Sequence, residues 1–385
     1  MTGFEFATSA RIVFGAGSLN AVGPAAAAMG KRALIASGSC AENCQALIEQ
    51  LAGHGLESVQ FSVDGEPTVA SVSQAAELAR RQGCDLVIGI GGGSSLDTAK
   101  AVSILVHNRG NLLDYLEVIG AGKPFTEPAV PCIAIPTTAG TGSEVTRNAV
   151  VGSPEHRVKV SMRSPSMLPR LALVDPELTY SLPPDVTAST GLDALTQLIE
   201  PFVSVRANPM TDSFCREGIP RAARSLERAY RQGRDAGARA DMSLASLFGG
   251  LALANAALGA VHGFAGVLGG MFPGPHGAIC ARLLPFVMDA NIRYLEEHDP
   301  QGETLRRYAE VARMLTGQAS ASLAHGIEWV SELCAALNVP PLSAYGVTPE
   351  DIPDVVEKSS RASSMKGNPV RLPDETLAAI LASAI

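Results

Sequence analysis

Four residues in the second half of the chain carry the side chains of a metal site. Asp193 and Gln197 stand four apart in the stretch GLDALTQLIEPF, so on a helix they share one face. His262 and His276 follow in VHGFAG and GPHGA, and we expect the first on a helix and the second on the loop beyond it. Two imidazoles and a carboxylate suit Zn²⁺ or Fe²⁺. The alternative is that His262 is a hydrogen-bonded core histidine in an apolar run.

A run of three glycines marks a candidate phosphate-binding turn. In IGIGGGSSLDTAKAV, residues 88–102, the glycines lie between an apolar strand pattern and a helix pattern. Glycine lets the backbone approach a phosphate, and the free N–H groups of a helix start attract anions. The turn is no Walker A loop and only an imperfect G-x-G-x-x-G, so tight strand–helix packing is the competing interpretation. The candidate residues are Gly91, Gly92, Gly93, Ser94, Ser95 and Asp97.

A second polar turn follows another strand pattern in IPTTAGTGSEVTRNAVV, residues 135–151. It places Thr137, Thr138 and Thr141 beside two glycines. Hydroxyls at the carboxyl end of a parallel sheet suit a ribose or a carboxamide. A Ser/Thr-rich turn that caps itself is the alternative.

These turns need elements to position them, and the apolar pattern of the first half supplies a parallel sheet. Short Val/Ile/Leu runs at 32–37, 59–63, 84–90 and 131–136 alternate with helix patterns at 42–53, at 69–82 and from Ser94. Continuous apolar runs separated by helices are typical of parallel strands covered on both faces.

After Pro183 and Pro184 the apolar runs lengthen and take the helical period. Helix patterns cover 187–203, 208–230, 241–260, 303–316 and 320–337. We therefore predict a Rossmann-like α/β nucleotide-binding domain over residues 1–181 and an all-α metal-binding and substrate domain over residues 182–385.

Composition favours a small-molecule partner. The 385 residues carry a net charge of -8 and no run of Lys or Arg, which argues against nucleic acid. Seven cysteines without a CxxC pair indicate reduced thiols in the cytoplasm, and the amino terminus lacks the apolar core of a signal peptide. The segment 243–274 has no charged residue, but Asn255, His262 and several glycines favour a buried core helix over a membrane span.

The motifs together resemble the iron-containing (group III) alcohol dehydrogenases over nearly the whole chain. The matching stretches are GGGSSLDTAK, PTTAGTGSEVT, LVDPELTYSLPP, TGLDALTQLIEPFVS and HGFAGVLGGMFPGPHGAICARLLP. The resemblance implies a dehydroquinate synthase-like architecture, reversible alcohol oxidation with NAD(P)H, a divalent metal (Fe²⁺ or Zn²⁺) and usually a homodimer. It places the pyrophosphate on residues 91–95, the nicotinamide beside residues 137–141, and Asn148 and Lys159 along the cofactor site.

The family's metal ligands fall on Asp193, Gln197, His262 and His276, and this chain departs from the pattern in three places. Gln197 replaces a histidine, and an amide oxygen is a weaker ligand than imidazole. Gly266 stands where many members carry a histidine thought to relay a proton. Gly38 stands where NAD-preferring members carry an acid, so NADP(H) is allowed and the hydroxyls of Ser37 and Ser39 are available to its 2′-phosphate.

We expect an NAD(P)-dependent, metal-assisted alcohol dehydrogenase or aldehyde reductase that acts on a small alcohol or carbonyl compound. The catalytic residues would be Asp193, His262 and His276, through the metal. Three alternatives stay open at this point: a maleylacetate reductase-like enzyme without an essential metal, a dehydroquinate synthase-like lyase, and a nucleotide-binding protein without activity.

Overall fold

The chain divides into two compact units in a computed structural model that describes residues 3–38, 41–116, 119–156 and 158–385. One unit is Thr8–Tyr180, and the other is Ser181–Ile385 together with the first residues up to Ala7. Asn255 holds these first residues, because its Oδ1 accepts from the Ala7 N–H at 2.7 Å and its amide donates to the Ala7 carbonyl at 3.0 Å. The predicted domain 1–181 thus differs from the observed unit at its amino end.

The first unit contains a six-stranded parallel sheet, which confirms the predicted α/β class. The strands of the unit are β1 (Ile12–Phe14), β2 (Arg32–Ser37), β3 (Glu57–Ser62), β4 (Leu86–Gly91), β5 (Cys132–Pro136), β6 (Asn148–Ser153), β7 (Val158–Arg163) and β8 (Leu171–Val174). The six sheet strands lie in the order β1-β8-β5-β4-β2-β3, and every neighbouring pair is parallel. The helices of the unit are α1 (Val22–Ala27), α2 (Ala41–Gly53), α3 (Val69–Arg81) and α4 (Gly93–Leu105).

Both faces of this sheet are covered, which explains its continuous apolar runs. Leu34 and Val87 belong to the core on one face, while Ile35 and Ile88 belong to the core on the other. Because successive side chains of a strand point to opposite faces, a strand that is buried on both faces is apolar at nearly every position.

Strands β6 and β7 form an antiparallel hairpin that the sequence pattern did not predict. Its buried face carries Ala149, Val151, Val160 and Met162, whereas Val150 on the other face is 37% exposed. The hairpin therefore follows the two-residue alternation of a half-buried sheet. The polar turn before it makes this alternation hard to recognise in the sequence.

The second unit is helical, as predicted. Its helices are α5 (Pro184–Val203), α6 (Pro209–Arg231), α7 (Ala236–Ala256), α8 (Ala260–Met271), α9 (His276–His298), α10 (Glu303–Thr316), α11 (Leu323–Ala336), α12 (Ile352–Ser360) and α13 (Asp374–Ala384).

The charge-free segment 243–274 is not one core helix, and this prediction was wrong. It spans most of α7 and all of α8, which meet at an angle of 99°. Ala257 takes a φ of 62° at the break, and Gly259 caps the second helix. In the described ranges no single helix is long and apolar enough to cross a bilayer; α7 and α8 reach that length and apolarity only together, as the bent pair.

Candidate active site

Helix α5 carries three polar side chains on consecutive turns of its buried length. Asp193, Gln197 and Glu200 are 2%, 4% and 5% exposed. Their spacing of four and three residues places them along one face. The Gln197 side-chain amide donates to Asp193 Oδ2 at 3.1 Å, so Gln197 helps to orient the aspartate.

Glu200 fixes the orientation of His262, which lies in the first turn of α8. Its Oε2 lies 2.6 Å from His262 Nδ1, and its Oε1 accepts from the Val261 N–H at 2.7 Å. A carboxylate at Nδ1 keeps the proton on that nitrogen and leaves the lone pair of Nε2 directed away from it. His262 Nε2 lies 3.3 Å from Asp193 Oδ1.

His276 is the first residue of α9 and not part of the preceding loop, so that expectation is corrected. Its ring lies 5.4 Å from the ring of His262, measured between centroids. Gly277 allows this start of α9 to approach α5, because a Cβ there would lie 2.3 Å from the carbonyl oxygen of Ser189. A larger residue would push His276 away from Asp193.

Cys280 joins this cluster and was missed from the sequence. It lies one turn after His276 on α9, and its Sγ is 3.7 Å from His276 Nε2. The possible ligand atoms of Asp193, His262, His276 and Cys280 all lie within 4.8 Å of one another. The signal was the four-residue spacing of His and Cys in HGAIC, which a helix beginning at the histidine turns into a shared face.

Three buried polar atoms of the cluster have no hydrogen-bond partner in the described part of the chain. They are Asp193 Oδ1, Gln197 Oε1 and His262 Nε2. Buried polar atoms are normally satisfied, since leaving them unpaired costs free energy. A carboxylate oxygen, an amide oxygen and an imidazole nitrogen all bind divalent cations, so these residues fit the divalent metal that the sequence predicts.

The protonation of the cluster follows from its charges. Burial alone would lower the pKa of His262, but neighbouring Cys280, Glu200 and Asp193 raise it well above its ordinary value. Burial would raise the pKa of Asp193, yet the imidazole of His262, 3.3 Å away, and the charge of His276 lower it. The aspartate is therefore ionised, and a cation that binds must displace protons from the imidazoles.

The α/β unit offers its own site at the carboxyl edge of the sheet. From β2 the sheet extends to β3 on one side and to β4 on the other, so the strand order reverses between β2 and β4. Ligands of open α/β sheets bind at such a switch point. Gly38 follows β2, and Gly91 ends β4 with a φ of 148°, a conformation that favours glycine.

The structure brings the two predicted polar turns together at this edge. Cβ atoms built at Gly38 and Gly91 would lie 3.3 Å and 2.4 Å from Ser95 Oγ. The Thr137 N–H donates to the Gly91 carbonyl at 2.8 Å. A Cβ at Gly92 would lie 3.5 Å from Thr138, and one at Gly93 would lie 2.7 Å from Thr141. Ser94 is the second residue of α4, and its carbonyl accepts a hydrogen bond from the Thr98 hydroxyl.

Other predicted cofactor residues serve the packing of the same edge. Asp97 Oδ1 accepts from Ser143 Oγ at 2.5 Å, and Oδ2 accepts from the Val150 N–H at 2.8 Å. The buried Lys100 ammonium lies 3.1 Å from Asp97 and also donates to the carbonyl of Asn148. Asp97 thus joins α4 to β6.

Of the remaining predicted residues, Lys159 lies on the hairpin and Ser37 at the carboxyl edge of the sheet. Lys159 on β7 pairs with Glu66 at 2.5 Å. Ser37 is buried at the end of β2. Ser39, the other hydroxyl predicted to meet a 2′-phosphate, lies outside the described residues.

The first unit has a parallel sheet with a glycine turn at its switch point, and the second has an Asp/His cluster that fits a divalent ion. Both features are expected of a nicotinamide-dependent, metal-assisted dehydrogenase. The family "Iron-containing alcohol dehydrogenase" matches residues 9–176, and "Fe-containing alcohol dehydrogenase family, C-terminal" matches residues 187–385. The chain belongs to the iron-containing alcohol dehydrogenase family.

Three relatives illustrate the match. Choline dehydrogenase of Bacillus subtilis is 35% identical over 84% of this chain and 79% of its own. Alcohol dehydrogenase 4 of Saccharomyces cerevisiae is 37% identical over 83% of this chain and 80% of its own. The crystal structure of a 1,3-propanediol oxidoreductase is 31% identical and covers 100% of both chains with a TM-score of 0.92.

The protein is therefore an oxidoreductase that acts on CH–OH groups with NAD(P) and a divalent metal. The resemblance found in the sequence is confirmed. The reductase of carboxylated carbonyls, the lyase and the inactive protein are not favoured.

Proposed function

We propose that the enzyme interconverts a primary alcohol and its aldehyde, with the metal held by Asp193, His262 and His276. This proposal rests on Asp193 Oδ1 and His262 Nε2, two buried atoms that lie 3.3 Å apart and make no hydrogen bond with the described residues. When bound, the ion polarises the carbonyl oxygen or lowers the pKa of the alcohol. The sequence predicts Gln197 as a fourth ligand, and its Oε1 makes no hydrogen bond with the described residues.

The protein side chains then hold and orient. Glu200 keeps a proton on His262 Nδ1, so Nε2 is the nitrogen that binds the cation after its own proton has been displaced. Gln197 donates to the other oxygen of Asp193, which limits rotation of that carboxylate. Orientation of this kind lowers the entropic cost of bringing the substrate to the cofactor.

The cofactor-binding residues are assigned in the same proposal. The turn of Gly91–Gly93, with Ser94 and Ser95, would hold the pyrophosphate at the start of α4. Thr137, Thr138 and Thr141 would border the nicotinamide, and the edge positions of these turns support both assignments. Asp97 would act by fixing the two turns. Asn148 and Lys159 would line the cofactor site from the hairpin.

Cofactor choice follows from the end of β2. Gly38 brings no carboxylate to the place where an acid would repel a 2′-phosphate, so we propose that the enzyme accepts both NAD(H) and NADP(H).

The names of the relatives guide the substrate class. One relative is named for choline and another for 1,3-propanediol. Both compounds carry a primary hydroxyl group. We propose that this enzyme likewise acts on a primary alcohol.

We further propose a cytoplasmic homodimer. All six cysteines within the described ranges are free thiols, which supports a reducing compartment. Light scattering after size-exclusion chromatography tests the dimer.

Activity measurements test the function directly. The metal-loaded enzyme is given primary alcohols, matched secondary alcohols and the corresponding aldehydes with each cofactor, while the nicotinamide absorbance is followed. Turnover of primary alcohols that is lost in His262→Ala is the expected result. Equal turnover by the wild type after rigorous chelation would overturn the role of the metal, and turnover of secondary alcohols alone would overturn the substrate class.

A further inference from the structure

The position of Cys280 is that expected of a metal ligand. It is fully buried, and its position one turn after His276 puts both side chains on the same face of α9. The neighbouring Asp193 Oδ1 and His262 Nε2 are buried and make no hydrogen bond with the described residues. The thiol therefore lies beside a carboxylate oxygen and an imidazole nitrogen, two groups that bind cations.

Two of the six separations in the cluster match those around a single tetrahedral ion, and all six are within 4.8 Å. With bond lengths of about 2.3 Å to sulfur and about 2.0–2.1 Å to nitrogen and oxygen, a tetrahedral zinc separates S and N by about 3.6 Å, and N and O by about 3.4 Å. Cys280 Sγ and His276 Nε2 are 3.7 Å apart. His262 Nε2 and Asp193 Oδ1 are 3.3 Å apart. Both pairs are already spaced as ligands of one ion.

Gln197 is the weaker candidate for the remaining place. Its Nε2 is engaged with Asp193, and its free Oε1 is a neutral amide oxygen. A thiolate is charged and soft, and among divalent ions it selects zinc over magnesium or calcium. With Asp193 it would supply two negative charges to balance a divalent cation.

We propose that Cys280 is the fourth protein ligand of the metal and that Gln197 acts as a positioning residue on Asp193. The site is then Asp-His₂-Cys and favours zinc over iron, because the thiolate replaces a harder ligand. On binding, the thiol loses its proton to solvent as the sulfur–metal bond forms. This inference rests on the proposed function for its other three ligands.

The competing explanation is an ordinary hydrogen bond between the thiol and His276. The cobalt-substituted full-length enzyme, without nucleotide, separates the two. A thiolate bound to Co²⁺ gives an intense near-ultraviolet charge-transfer band, whereas a site of N and O ligands gives none. The band is expected in the wild type, and its absence from a stoichiometric Co²⁺ complex would overturn the proposal without any substitution.

Variants then assign the sulfur. Cys280→Ser should abolish the band and weaken zinc binding by more than about 100-fold, because loss of a ligand costs more than loss of its hydrogen-bond partner. Cys215→Ser, a buried thiol on α6, is the matched control and should change neither. Gln197→Ala should keep the band. Chelator competition measures the affinities, and circular dichroism checks that each variant is folded.

A ligand exchange completes the test. The double variant Gln197→His, Cys280→Ser should recover metal affinity, lack the band and shift preference from Zn²⁺ toward Fe²⁺. If Cys280→Ser binds zinc as tightly as the wild type while His262→Ala does not, the thiolate assignment is wrong and the proposed metal site stands. If His262→Ala also binds zinc normally, the proposed function fails at its metal site.

Discussion

Glu200 links the side chain of His262 to the backbone of the helix that carries it. One carboxylate oxygen lies 2.6 Å from His262 Nδ1, and the other accepts from the Val261 N–H at 2.7 Å. A negative charge at the start of a helix is also favourable because it faces the positive end of the helix dipole. The same group therefore stabilises α8 and sets the direction of the imidazole.

Replacing this carboxylate by an amide should weaken the metal site while the ligands remain. Glu200→Gln cannot accept at both oxygens, so His262 loses its orientation, and metal affinity should fall by about 10- to 100-fold. Chelator competition with Zn²⁺ measures the change. Glu328→Gln, an exposed position on α11, is the control. Unchanged affinity in folded Glu200→Gln would show that Glu200 is only structural.

The glycine turn gives a prediction about the cofactor. A Cβ at Gly92 would meet only ordinary contact with Thr138 at 3.5 Å, so Gly92→Val should fold. Its side chain should block the approach of a phosphate to the start of α4 and raise the dissociation constant for NAD(P)H by roughly tenfold or more. Fluorescence titration provides the measurement, with Gly53→Val in open space as the control. Equal affinities in both variants would place the pyrophosphate elsewhere.

Cofactor preference should respond to charge at the end of β2. Gly38→Asp should lower kcat/KM with NADP(H) relative to NAD(H) by roughly tenfold, because a carboxylate repels the 2′-phosphate. Gly38→Asn has nearly the same shape and no charge, so it should leave the ratio almost unchanged. If both variants shift the ratio equally, the effect is steric. A wild type that does not use NADP(H) at all would contradict our interpretation of this turn.

Glu144 should make the folded protein less stable as pH rises. Its side chain is 1% exposed, and burial raises its pKa from 4.5 to about 7. Between these two values the unfolded chain releases a proton that the folded chain keeps, so stability falls with increasing pH and levels off above about 7. The loss should be on the order of 3 kcal/mol.

Glu144→Gln cannot ionise and should lack this loss. Melting temperatures of the two proteins at about pH 5 and about pH 8.5 give the comparison, since other titrating groups contribute equally to both. The wild type should show the larger decrease. Parallel decreases would mean that Glu144 titrates normally in the folded state.

Local patterns predicted most of the fold. The strands Arg32–Ser37 and Cys132–Pro136 are buried on both faces, so their composition alone identifies them. The turn between β4 and α4 was predictable because its glycines are adjacent in sequence. The four ligands proposed from the sequence do lie in one helical unit, since spacing and family position both mark them.

The missed features depend on contacts that are distant in sequence. The break between α7 and α8 falls in ANAALGA, which holds neither a proline nor a charge, and Asn255 before it is bound to Ala7. Cys280 could be proposed as a ligand only once the structure placed His276 at the start of a helix, which puts both side chains on one face. Hairpin β6–β7 is short and follows a polar turn, so its alternation spans too few residues to stand out.

If the proposed ligands bind an ion, that ion also affects the stability of the folded chain. Asp193, His262 and His276 lie on α5, α8 and α9, so a bound cation closes two loops, as a pair of reversible cross-links would. The unfolded chain holds no preformed site, so the ion binds the folded helical unit in preference to it. An ion that binds only the native state also holds the helical unit folded in proportion to its free concentration. The supply of metal would then set how long this protein resists heat and proteolysis, as well as how fast it works.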